Sequence, residues 1–465
     1  MVARRQLAIV TAVAACLAGV SVAIKPELAL LIVGLSAVIV LALVLPLYAI
    51  VNLVIVASFL SRITVLALGF HVRPEHVTAL LLFVKILTYS GRKRMGPSGL
   101  RAVIAMALLV VLNLVATVLN SPNEKSSFDI VGWLVMDTVL LASLVQVPVT
   151  VLRRAVLRTG LACALLMGIL AIGFWVLAEA GGPLIGVQAD PLYGGYAAYV
   201  GSSEANVAAG LLVLWGLIAL ASLRSGESVT WVNRWAAVVC PLALIATDTR
   251  EAILAYVVGV AVLAVRRGAL RIRHVLIGVV IVTLGVAVLS LGGHSGSFGR
   301  SAAKLSSFTL ASGDGALRVQ SWSVAVHDMS EQQVLIGLGT NSFGQRHFDP
   351  TLPGLDKPWY LPSLPLQTLY DAGGIAVACV IALLLFALPK ERRARSLGYA
   401  MAAAYLVVSM ATSPFWFSFT WIFVALALLH RDDERGTVVL DADAVSAVPL
   451  APRSHQLQTA PRFSS

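Results

Sequence analysis

The sequence predicts an all-α fold, a polytopic bundle of transmembrane helices, and three observations carry that prediction. The 465-residue chain is 58% hydrophobic and only 12% charged, and its mean hydropathy is +0.89. Apolar runs of about 17–25 residues recur along most of it, the length that crosses a bilayer core. The basic residues gather on alternate connections between those runs, as the orientation of membrane helices demands.

In chain order the apolar runs lie at 6–24, 28–44, 47–61, 74–89, 102–119, 129–148, 156–178, 204–222, 232–247, 250–265, 274–291, 363–388, 397–412 and 414–430. They make fourteen spans, the best count; twelve remain if two short runs are re-entrant. The first run follows Arg4 and Arg5 in the manner of a signal peptide, but the spans after it make it an anchored helix. With the N terminus in the cytoplasm, the basic connections at 91–101, 153–158, 266–273 and 389–395 all fall inside. Losing one span would put half of these outside, so both termini are cytoplasmic. Residues 1–430 form a single transmembrane domain, and 431–465 form a disordered cytoplasmic tail, polar and rich in Ala, Pro and Ser.

Two outer connections are long, 179–203 and the outer-face loop 292–362 of about seventy residues. Loops of that length inside a compact protein are usually functional or disordered. Within the second, 317–331 carries Leu317, Val319, Trp322 and Val326, a pattern expected of a short helix on the membrane surface.

The net charge of +11 serves topology, not nucleic-acid binding. The four cysteines, Cys16, Cys163, Cys240 and Cys379, lie in apolar runs and read as small core residues. No group of residues has metal-ligand spacing, and no cofactor is expected.

Four stretches at outer helix ends stand out. "GSSEANVAAG" (201–210) opens a helix. "TDTREAILAY" (247–256) sets Arg250 between two apolar runs, where a charge costs several kcal/mol unless it reaches water or holds an anion. "RVQSWSVAVHDMSEQQVLIGLGTNSFG" (318–344) has an arginine four residues before a tryptophan, then Gly-x-Gly. "LPLQTLYDAGG" (364–374) has Leu-Gln, an acid four residues on, and a glycine pair entering a helix. The segment 337–344 has the look of a phosphate cradle but lacks the Lys-Ser/Thr of a P-loop, so its glycines read as a tight turn.

In this order, over about 200–390, the four stretches resemble the O-antigen ligase and O-antigen polymerase family of membrane glycosyltransferases. The resemblance implies transfer of a glycan from a polyprenyl diphosphate donor to a hydroxyl of an acceptor glycan or glycolipid. It implies an outward-facing site in a bacterial cytoplasmic (inner) membrane, among membrane lipids, with no metal or nucleic acid. Arg250 matches the arginine of the family's Ser-Arg motif, with Thr249 in place of serine. Arg318 matches that of Arg-x-x-x-Trp, and in the family these two hold the diphosphate. A guanidinium stays charged and offers a planar fork of donors to phosphate oxygens.

The family's histidine position is Pro362, with Ser363 beside it in place of asparagine. The base is therefore sought among His347 and Asp349 in "GQRHFDP", while Asp371 matches the family's glutamate. Asn206 matches the family's asparagine; it and Glu204 are expected to bind substrate, with helix capping as the structural alternative. Arg346 and Lys304 extend a basic rim toward the anionic donor. Two other readings stand beside this one. A transporter or flippase of a lipid-linked glycan would carry mid-membrane charges and paired inverted halves. A catalytically inactive family member would bind such a glycan without transfer.

Overall fold

The computed structural model describes residues 26–67, 70–189, 195–223, 230–266, 313–347, 360–388, 392–410 and 412–433. The expected spans at 6–24 and 274–291, Lys304, Asp349 and the tail beyond Asp433 lie outside the described residues. Every other expected span is a helix. In order these are α1 (Pro26–Val44), α2 (Leu47–Ala57), α3 (Pro74–Thr88), α4 (Pro97–Asn120), α5 (Glu124–Leu144), α6 (Val149–Glu179), α7 (Ala205–Ser222), α8 (Trp231–Ala246) and α9 (Arg250–Arg266). The 292–362 region contributes α10 (Gly313–Asp328), α11 (Glu331–Ile336) and α12 (Ser342–Arg346). Then follow α13 (Leu364–Ala387), α14 (Arg392–Ser409) and α15 (Ser418–Asp433).

Five of these, α4, α5, α6, α7 and α13, are long and apolar enough to cross a membrane. In α4, Leu100, Ile104, Leu108, Val111, Val115 and Val118 are exposed along one stripe, while Ala102, Met106, Leu109, Asn113 and Ala116 face inward. Both sets recur every three or four residues, the spacing of one helix face. Each large apolar side chain held in water forgoes about 1.5–3 kcal/mol, so the outer stripe fits a lipid solvent. The opposite case is α7, where nearly every side chain is buried. It packs among α6, α8, α9 and α14, and its Trp215 lies 5.8 Å from the Phe59 ring and 5.1 Å from that of Phe423.

The helical architecture carries two additions that the sequence pattern does not announce. A hairpin of β1 (Val65–Ala67) and β2 (Phe70–Val72) joins α2 to α3, and β3 (Val187–Ala189) pairs with β4 (Tyr196–Ala198) between α6 and α7. Three-residue strands are too short to show a period of two.

The second addition is a break in α13. Gly373 has φ 80° and ψ −178°, a conformation essentially reserved for glycine. A Cβ there would meet the Leu335 carbonyl oxygen at 2.0 Å, and one on Gly337 would meet the backbone of Asp371 at 2.5 Å. The end of α11 is thus pressed backbone to backbone against the break. Leu338 N–H donates to the Tyr370 carbonyl (2.6 Å) and Gly339 N–H to that of Asp371 (3.1 Å). The Gly-x-Gly segment is a clasp that binds the 313–347 region to the bundle.

Candidate functional site

The expected site residues divide between two places. The first lies where α7, α9 and α10 meet. Asp248 adopts φ 51° between α8 and α9, a left-handed conformation that Asp tolerates better than most residues. The chain reverses there and α9 begins at Arg250, which is buried. The Thr249 hydroxyl is shared between the Thr247 carbonyl (3.0 Å) and Asn206 Oδ1 (3.3 Å). Two stretches more than forty residues apart in sequence, at Asn206 and Thr249, are therefore in contact.

Arg318 reaches the same place from α10. Its guanidinium forms an ion pair with Glu251, the residue after Arg250. Trp322, one turn on, shares the face of Arg318 and packs with Ala325, Leu338, Phe343, Leu361 and Tyr370. The Arg-x-x-x-Trp spacing thus has a mechanical meaning. The tryptophan seats α10 on the clasp, and the arginine projects from the same face toward α9.

Glu204 stands immediately before α7, yet its side chain does not cap that helix. Its Oε1 accepts a hydrogen bond from the Tyr360 hydroxyl (2.7 Å) instead, and Thr412 lies 3.1 Å from the phenol oxygen. Burial pushes the Glu204 carboxyl above its ordinary value, while Tyr360 and the charge of Arg73 pull it back. The Tyr360 phenol is itself raised, first by burial and then by Glu204, and the Arg318 charge opposes that rise.

The second place lies at the other end of α10. His347, which ends α12, sets Nε2 2.5 Å from Asp328 Oδ2, and the same oxygen accepts from Tyr370 (2.8 Å). Asp328 follows Arg318 by ten residues, so the two are about 15 Å apart along the helix axis. Arg346 is held by backbone, donating to the Asn120 carbonyl at 2.6 Å.

Asp371 sits inside α13, just before the break, not at the helix start. It is 1% exposed, and its Oδ2 accepts from Gln367 (2.7 Å). Nearby, Thr340 hydrogen-bonds Thr117 (3.0 Å) and Asn113 (2.9 Å), and Asp371 lines a small cavity with Asn113, Thr368, Phe415 and Trp416.

Tyr360, Thr412, Asp328 and Tyr370 were not legible as site residues. Their partners are distant in sequence, and the one available cue was that Tyr360 stands two residues before Pro362, where the resemblance expects a histidine.

No curated protein is similar enough to the chain to count as a match. The apolar helices and the family match below are those of a bacterial membrane protein with glycosyltransferase character. Residues 235–381, from α8 through the break in α13 and so including Arg250, Arg318 and Asp371, match the family model Wzy_C, described as O-Antigen ligase, and the chain carries an O-antigen ligase domain there.

Proposed function

We propose that this protein transfers a glycan from a polyprenyl diphosphate donor to a hydroxyl of a cell-envelope glycan or glycolipid. Transfer takes place at the outer face of the cytoplasmic membrane, with Arg250 and Arg318 holding the diphosphate. The observation that carries this reading is the meeting of Arg318 with the first turn of α9, through Glu251, within the matched domain. A guanidinium has five donors, so the Glu251 carboxylate can orient Arg318 and leave N–H groups for phosphate oxygens. Asn206, fixed by Thr249, and Glu204 flank the same place and bind the sugar or the acceptor.

The chemistry follows from where charge develops. The acceptor oxygen attacks the anomeric carbon from the face opposite the leaving group, inverting its configuration. The bond from that carbon to the phosphate oxygen breaks, and its electron pair leaves with the diphosphate. Fixed cations aimed at that growing charge lower the barrier, so the reading calls for neither a metal nor a nucleotide.

The test separates charge from geometry. Full-length protein in liposomes would be given the lipid-linked glycan extracted from cells in which the gene is deleted, with the envelope glycolipid fraction of the same cells as acceptor. Arg318→Ala is expected to slow consumption of the lipid-linked glycan by about 10²–10³-fold. Arg250→Lys and Arg318→Lys are expected to fail largely, because lysine keeps the charge and loses the planar fork. Arginines acting on one leaving group behave as a unit, so the double alanine variant should be little worse than either single one. Normal turnover by both lysine variants would overturn the clamp.

A further inference from the structure

We infer that Glu204, held by Tyr360, is the general base that takes the proton of the acceptor hydroxyl. This rests on the transfer reading above and assigns a role that the arginine clamp leaves open.

Geometry makes the case. The segment in which the resemblance expects a histidine instead offers a phenol, Tyr360, and that phenol grips a carboxylate 156 positions away at 2.7 Å. The Tyr360 proton is committed to Glu204, so the neighbouring Thr412 hydroxyl donates back to the phenol oxygen. Glu204 therefore has one oxygen fixed, while Oε2 has no partner among the described residues. It lies two residues before Asn206, which touches the turn that opens on Arg250. The segment that opens on Arg250 thus adjoins this carboxylate, and Arg318 reaches that segment through Glu251.

The rival groups among the described residues are placed elsewhere. His347 follows α12 with Nε2 engaged by Asp328 at the far end of α10, and Asp328 is about 15 Å along the axis from Arg318. Asp371 sits at the break in α13, with Oδ2 held by Gln367, in a small cavity lined by Asn113, Thr368, Phe415 and Trp416.

The surroundings suit a base. Burial raises the Glu204 carboxyl, which makes it a stronger base than an exposed glutamate. Two influences oppose that rise, the Tyr360 hydrogen bond and the Arg73 charge. The other charged groups near this junction are Arg250, Glu251 and Asp248 at the start of α9, and Arg318 beyond Tyr360.

In the step itself the acceptor O–H bond breaks and its proton passes to Glu204 Oε2. The oxygen forms its bond to the anomeric carbon, and the diphosphate leaves with the electron pair. Water then takes the proton from the carboxyl group.

Azide tests this, because it is already an anion and needs no base. It attacks the anomeric carbon to give a glycosyl azide and free polyprenyl diphosphate. The preparation is the one above, with sodium azide in place of the acceptor fraction in a parallel arm. Glu204→Gln is expected to lose about 10²–10⁴-fold in turnover with the acceptor fraction and to recover most of that loss when azide is the nucleophile. Arg318→Ala is expected to fail in both arms, so failure of the clamp and failure of the base give different patterns. Normal turnover of Glu204→Gln with the acceptor fraction would overturn the inference, and so would loss that azide does not restore.

Tyr360→Phe supplies a second measurement that does not depend on the glutamine variant folding. It removes a hydrogen bond that lowers the Glu204 pKa, so activity, which rises with pH as the base ionises, should rise at higher pH than in the wild type. An unmoved acid limb in this variant would also overturn the assignment.

Discussion

Arg73 and Arg318 are both cations in an apolar bundle, and they are held in opposite ways. Arg73 lies at the start of α3 with its guanidinium 3.6 Å from the Trp133 ring centroid and 4.9 Å from that of Phe417. It donates to Glu75 (3.3 Å) and to the Trp416 carbonyl (3.2 Å), and Ser418 donates to the other Glu75 oxygen (3.1 Å). Its side chain is 6% exposed and that of Glu75 is 1%. Arg318 has no aromatic ring stacked on it among the described residues, its carboxylate partner is Glu251, and the two side chains are 20% and 27% exposed. The Arg73 guanidinium is stacked on two rings and tied to a buried acid, and its Nε is buried without a hydrogen-bond partner. It pins α3 to the 414–418 segment, and through it to the neighbourhood of Thr412 and Tyr360. A partly open arginine beside one carboxylate keeps donors for something else. The comparison teaches that a charge in an apolar bundle signals function when its surroundings leave it open to a ligand.

The largest effect expected from this contrast is on stability. Arg73→Ala leaves Glu75 buried without its cation and should cost about 3–5 kcal/mol, read as a large fall in the thermal midpoint in detergent. Arg318→Ala should cost no more than about 1 kcal/mol, because a pair this open contributes little, while turnover collapses. Equal destabilisation by the two variants would erase the distinction drawn here.

A smaller effect sharpens the role of the clasp. Gly373→Ala forces a side chain into a backbone conformation that resists it, with its Cβ in the path of the Leu335 carbonyl. About 1–3 kcal/mol of strain is expected, with the 313–347 region loosening first. Hydrogen exchange should report faster exchange at Leu338 and Gly339, whose amides bridge to α13. Unchanged protection there would mean that the break is not what holds α10 in place.

The smallest effect lies a few residues from Arg73. His71 Nδ1 is 2.6 Å from Asp129, but these side chains are 54% and 12% exposed. Asp129→Asn should cost about 1 kcal/mol or less by chemical denaturation. A loss as large as that of Arg73→Ala would show that the number of ion pairs, not their burial, governs this region.

Much of the fold was legible because lipid leaves a long, local mark. A run of apolar residues must close its own backbone hydrogen bonds, so it is a helix whatever its neighbours are. Arg250 was legible as a helix start because the apolar pattern resumes at that residue. The spacing of Arg318 to Trp322 was legible as one face of one helix. The Arg73 cluster was not, since Glu75 and His76 in a first turn look like any helix end meeting water. What buries them is Trp416 and Ser418, 343 positions away.

The sequence by itself determined the presence of the described helices and the family motifs, because hydrophobic periodicity and backbone satisfaction act within one segment. Only the tertiary structure decided which charges face one another. Glu204 looks like a helix cap until Tyr360 is set beside it, Asp371 looks like a helix start until α13 breaks two residues later, and His347 looks like the natural base until α12 sets it against Asp328. Such pairings depend on side-chain reach of a few ångströms between segments far apart in the chain, and no local pattern encodes that distance.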